Sequence, residues 1–168
     1  MNHKITIIEG KKNIDRVTLT KDKRIKHGAL EKELDPEYIL SLLLRLETDQ
    51  EDVYKKVCIK GLEQKRTGYK SQDIRKNLHH SDTLITLSEI IDKLVSSSLQ
   101  CHYCHTSVKV MYRIVRDPLQ WTLDRIDNRL SHTASNTVIS CLQCNLKRRN
   151  IDKDKFFLSK NLKIIKTN

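Results

Sequence analysis

The stretch CHYCHTSVKVMYRIVRDPLQWTLDRIDNRLSHTASNTVISCLQCN, residues 101–145, decides the fold. It opens on Cys101-His102-Tyr103-Cys104 and closes on Cys141-Leu142-Gln143-Cys144, two C-x2-C pairs that can each present two thiolates to one ion across a tight turn. Four thiolates make a tetrahedral zinc site with Zn–S distances of about 2.3 Å, closed to water and therefore structural. The 36 residues between the pairs exceed the usual zinc-ribbon gap, so a small folded unit is inserted between them. Zinc binding of this kind contributes on the order of 10–16 kcal/mol to folding a unit too small to stabilise itself by burial. Cys58 lies outside the pattern and reads as a buried small hydrophobe.

Within the insert, Val108, Val110, Tyr112 and Ile114 alternate with Lys109, Met111 and Arg113, which predicts a strand with one face covered. Asp117-Pro118 turns the chain. Residues 121–126 predict a second strand, 127–135 a polar loop, 137–140 a third extended piece and 142–150 a helix. Strand, loop, strand and helix would then surround the zinc clasp.

Leu123-Asp124-Arg125-Ile126, Ser135-Asn136-Thr137-Val138 and Cys141-Leu142-Gln143-Cys144-Asn145 resemble the HNH (ββα-metal) endonuclease family. The likeness is closest to phage- and virus-type members that bracket the nuclease motif with two C-x2-C pairs, and it covers residues 99–150 only. It implies that Asp124 and, from the helix, Asn145 ligate a catalytic divalent ion, while Asn136 braces the loop. A carboxylate and an amide oxygen are hard ligands suited to magnesium or manganese. The family usually places a general-base histidine directly after the metal-binding acid. Here that position is Arg125, whose guanidinium stays protonated and cannot accept a proton from water.

Arg125 can instead hold a phosphate oxygen by paired hydrogen bonds. His132, in the loop, is then the candidate proton acceptor; the alternatives are a loop histidine that bonds its own backbone or faces water, and water activated by the metal alone. Asp127, three residues beyond Asp124, leans to the opposite face and reads as a loop or capping residue. Arg129, Lys147, Arg148 and Arg149 join Arg125 as candidate phosphate contacts. His102 and His105 flank the first cysteine pair, and surface positions are the simpler assignment for both.

Charge agrees with a polyanionic partner. The chain of 168 residues carries a net +11, and residues 101–168 hold 13 basic against 5 acidic side chains where residues 1–100 hold 19 against 16. The C-terminal part is therefore where a phosphate backbone is expected to dock, with DNA preferred over RNA on the strength of the resemblance. The longest apolar run, residues 39–44, is interrupted by Ser41 and falls far short of a membrane span, so no membrane partner is expected. No cleavage pattern follows the short apolar run at 5–8, which with the cysteine usage predicts a soluble, intracellular protein.

Residues 1–98 predict a mostly helical module to which no chemistry is assigned, giving an α+β chain in which 99–168 form the zinc-stapled unit. Asp35-Pro36-Glu37 starts a helix carrying Ile39, Leu42, Leu43 and Leu46. A second helix ends near Gly61, and a short third one begins at Ser71. Thr86 with Glu89 forms a capping box ahead of Leu87, Ile90, Ile91, Leu94 and Val95. A hairpin over residues 4–9 and 16–20, and a helix followed by a terminal strand over 151–168, complete the expectation.

Two rival functions fit the same residues. One is a non-catalytic zinc module that binds nucleic acid through a degenerate site marked by Arg125. The other is a zinc-dependent protein-interaction module whose basic surface meets an acidic partner.

Overall fold

The computed structural model describes residues 33–46, 52–78 and 83–162. The expected N-terminal hairpin and C-terminal strand lie outside them. The elements run α1 (Pro36–Leu44), α2 (Lys55–Arg75), α3 (Leu87–Ser96), β1 (Trp121–Arg125), β2 (Thr137–Cys141), α4 (Leu142–Arg148) and α5 (Lys153–Asn161), an α+β arrangement. Among the described residues no helix is long and apolar enough to cross a membrane.

Local chemistry explains where these helices start. The Asp35 carboxylate accepts from the Glu37 and Tyr38 amides at the start of α1, with Pro36 at the first turn. At α3 the Thr86 hydroxyl accepts from the Glu89 amide, and the Glu89 carboxylate accepts from the Thr86 amide, closing the capping box.

The two expected helices between residues 53 and 78 are one helix of 21 residues. Gly61 does not end it. Cys58, Leu62, Tyr69 and Asp73 fall on one buried stripe, and that packing outweighs the roughly 1 kcal/mol that each of Gly61 and Gly68 costs a helix interior. The helix stops where Asn77 turns left-handed, at φ 54°, and the Leu78 amide donates back to the Asp73 carbonyl.

The expected strand over 108–114 is absent. Val108 and Val110 are buried as the alternation requires, but only isolated bridges form, Gln100 with Ser107 and Lys109 with Gln120. No neighbour runs alongside to extend a ladder, so the chain leaves extended geometry after Lys109 has bonded to Leu119 and Trp121.

Among the described residues the sheet is a single antiparallel pair, with Trp121 opposite Cys141, Leu123 opposite Ile139 and Arg125 opposite Thr137. One edge of β1 lacks a strand partner among the described residues, yet five of its outward backbone groups are bonded. The Trp121 amide donates to the Lys109 carbonyl and the Trp121 carbonyl accepts from Lys65 Nζ. The Leu123 amide donates to the Tyr69 hydroxyl and the Leu123 carbonyl accepts from Asn145 Nδ2, while Arg148 Nη2 donates to the Arg125 carbonyl. Side chains of α2 and α4 therefore replace the missing strand.

The helices and the four-cysteine unit share one core. Leu42, Leu62, Ile90 and Leu94 join Leu99, Val108, Trp121, Leu123 and Ile139 in one buried cluster. The boundary expected near residues 98–99 runs through it. The Ile85 amide donates to the His132 carbonyl and Lys93 Nζ to the Thr137 carbonyl, which adds polar ties across the same boundary.

Candidate functional site

The four clasp cysteines come together as the spacing predicts. Cys101 and Cys104 sit in the turn after α3, Cys141 ends β2, and Cys144 lies in the first turn of α4. Their sulfurs lie within 4.8 Å of one another, with Cys104 and Cys141 Sγ at 3.9 Å. A tetrahedron with Zn–S of about 2.3 Å has edges of about 3.8 Å, so this group is compatible with a structural metal such as zinc. The hydrogen bond shared by Cys101 and Cys141 holds the Cys101 thiol below its ordinary range and pushes the Cys141 thiol above it. Cys58 stands apart, buried, its thiol pushed up to about 12 by desolvation.

Tyr103, between the first two cysteines, carries the clasp into the neighbouring site. Its buried hydroxyl donates to Asp124 Oδ2 at 2.6 Å. Thr122 and Asp124 point to the same face of β1 because side chains alternate along a strand, and α4 lies across that face. Asn145 Nδ2 donates to Thr122 Oγ1 at 3.1 Å, and three residues on Arg148 grips Asp124, Nε to Oδ2 at 2.6 Å and Nη2 to Oδ1 at 3.0 Å.

Arg148 is thereby removed from the expected phosphate contacts. It is only 1% exposed, and it also donates to the Ile151 carbonyl and to Asn128 Oδ1. The helical spacing that turns Asn145 toward β1 turns Arg148 the same way, so the basic run 147–149 is split between core and surface.

A second buried carboxylate serves His132. Asp73, on α2 and 0% exposed, bonds the His132 ring at Nδ1 over 2.7 Å and accepts the His132 amide through Oδ2 at 2.8 Å. Arg125 Nη1 approaches Asp73 Oδ1 at 3.5 Å and donates to the Leu130 carbonyl at 3.1 Å. The Tyr69 ring stacks on the imidazole, centroids 4.7 Å apart. Burial lowers the His132 pKa below its usual 6.5, with Asp73 pulling the other way. A neutral ring that donates from Nδ1 to Asp73 keeps its Nε2 lone pair.

These groups line a groove of about 880 Å³ between α2 and α4. Asp124, Arg125, His132, Asn145 and Arg149 all reach it, as do Gln64, Gln72, Lys76 and Arg116. Among the described residues Asp124 is its one acidic member, and that charge is met by Arg148. The groove is cationic.

The remaining sequence candidates lie elsewhere. Asn136 sits beneath the loop and braces it: Nδ2 donates to the Asp127 and Ser131 carbonyls while Oδ1 accepts from the Asp127 amide. Arg129 is paired with Asp127 outside the groove, holding that carboxyl down to about 2, and Asp127 also accepts the Arg129 amide as a loop-capping residue. Lys147 is exposed and does not line the groove. His102 and His105 pack on the Phe157 ring.

Sequence reasoning missed Asp73 and Tyr69. A helix broken at Gly61 hides the one available signal, that both continue the buried spacing begun by Cys58 and Leu62. No family model, curated protein or solved structure matches the chain.

Proposed function

We propose that this protein hydrolyses phosphodiester bonds of nucleic acid, DNA being the preferred substrate, in the groove between α2 and α4. The observation that carries the reading is the convergence of an Asp73-oriented imidazole, the Asp124 carboxylate and the Asn145 amide on one cationic surface.

His132 Nε2 takes the proton from an attacking water, and Asp73 stabilises the imidazolium that forms. Arg125 and Arg149 face the charge of the phosphate. Arg148 and Tyr103 fix Asp124 with one Oδ1 lone pair left for the groove, since Oδ1 accepts from Arg148 alone and Oδ2 accepts from both. Asn145 commits Nδ2 to β1 and keeps Oδ1 as an acceptor. These two oxygens fit a hard divalent ion, magnesium or manganese, which when bound supplies charge neutralisation at the phosphate and the leaving oxygen.

The occupied state of Asp124 favours a second reading. A carboxylate already neutralised by Arg148 attracts a cation less strongly, as expected of a module that binds nucleic acid without cutting it. Supercoiled plasmid incubated with zinc-loaded protein and magnesium or manganese separates the two. Nicking or linearisation by wild type, lost in His132→Ala and Asp124→Ala, supports the hydrolase; tight binding without cutting supports the second reading.

A further inference from the structure

We propose that α2 is a backbone-binding ridge that seats the sugar-phosphate chain of duplex DNA along one row of side chains. The inference rests on the nucleic-acid part of the function proposed above, and it names the wall that holds the substrate.

Net charge hides this helix. Residues 1–100 are nearly balanced, yet residues 55–76 carry Lys55, Lys56, Lys60, Lys65, Arg66, Lys70, Arg75 and Lys76 against only Glu63 and the buried Asp73. Gln64, Gly68 and Gln72 are spaced four apart and so share one face, and Lys76 continues the row at the same step. All four line the groove. The row from Gln64 to Lys76 spans about 18 Å at 1.5 Å per residue.

Its composition selects a ligand. An amine stands at one end, Lys76, and two amides flank a glycine where an added Cβ would meet nothing within 4 Å. That opening faces the stretch Thr122 to Arg125 across the groove, where the scissile phosphate would lie. Exposed Arg116 and Arg149 stand on the other wall, both at positive φ, 61° and 50°. Tyr69, the aromatic residue of the lining, is buried under His132, so the groove offers no open ring for a base to stack on. Amines and amides without stacking rings suit the phosphates of a duplex better than the unstacked bases of a single strand.

The test is binding of a labelled duplex of arbitrary sequence to the full zinc-loaded chain across a sodium chloride series, without magnesium or manganese. The variant Lys76→Gln should bind severalfold more weakly at low salt, with the slope of log K against log salt shallower by about 0.9. Gly68→Glu should weaken binding by at least about tenfold, because its carboxylate enters the phosphate path. Lys155→Gln, on α5 outside the groove, should bind as wild type, and melting no lower than that of wild type for each variant shows that α2 is intact. Wild-type affinity and slope in the first two variants would overturn the proposal, even if the protein cuts DNA. α2-dependent binding without cutting would support it while removing the hydrolase. A wild-type chain that binds no duplex removes both.

Discussion

Asp73 and His132, 59 residues apart in the chain, meet through two hydrogen bonds, one to the ring and one to the backbone amide. The carboxylate thus fixes both the loop and the imbalance between the two ring nitrogens. A helix with no sequence motif of its own supplies the group that orients the candidate base.

Replacing Asp73 by Asn keeps the shape and removes the charge. An amide can still receive the backbone donor, so the fold should survive, but the imidazolium loses its counter-charge and Nδ1–H its strong acceptor. Loss of a carboxylate that raises the His132 pKa should shift the acidic limb of activity to still lower pH. Plasmid cleavage by Asp73→Asn should fall by roughly 10²–10⁴-fold, the range typical of general acid–base terms. A rate and pH profile equal to wild type would mean that His132 takes no proton.

Stability should follow the same titration. The folded pKa of His132 is depressed below 6.5 by burial, so the native state favours the neutral ring. Its contribution is present in full above pH 6.5 and is lost as pH falls from there through the folded value, because the unfolded chain then binds the proton more readily. Urea midpoints measured downward from pH 7 should decline more steeply for wild type than for His132→Gln. Parallel curves would count against a buried neutral imidazole.

The clasp should govern the whole fold and not only its own loops, because Tyr103 ties it to Asp124 and Phe156 packs edge-on against the Tyr103 ring, 5.0 Å between centroids. Removing the metal with a chelator, or replacing Cys144 by Ser, should release one zinc per chain and abolish cooperative melting. Metal release measured with a chromogenic chelator alongside circular dichroism checks this. Metal-free protein that melts like wild type would show the four sulfurs to be ordinary buried thiols.

Much of this arrangement was legible in the residues, and the boundary between legible and hidden is physical. The cysteine spacing, the Thr86–Glu89 box and the strand of Trp121 to Arg125 are local patterns, readable because each is satisfied within a few residues. The continuity of α2 past Gly61 was not, since tertiary burial of Cys58, Leu62 and Tyr69 overrides a local break. Alternation at Val108 and Val110 marked burial correctly, but a strand also needs a neighbour, which periodicity does not report. Asp73 and Arg148 resemble surface charges in sequence. Only their distant partners, His132 and Asp124, make them buried.

The Arg148 and Asp124 pair gives the most direct check on that reversal. Both ends are buried, and the guanidinium also satisfies the Ile151 and Arg125 carbonyls, so Arg148→Met leaves a buried anion and two unmet acceptors. Loss of one partner of such a pair should cost about 3–5 kcal/mol, whereas the double change with Asp124→Leu should recover much of it because no lone charge remains. Arg148→Lys should rescue poorly, since a point charge cannot span Oδ1, Oδ2 and the carbonyls together. Denaturant titration of wild type, Arg148→Met, Asp124→Leu and the double variant yields the coupling energy directly. An Arg148→Met loss within about 0.5 kcal/mol, the size of a surface substitution, would put this side chain back in solvent and restore it to the phosphate-binding surface.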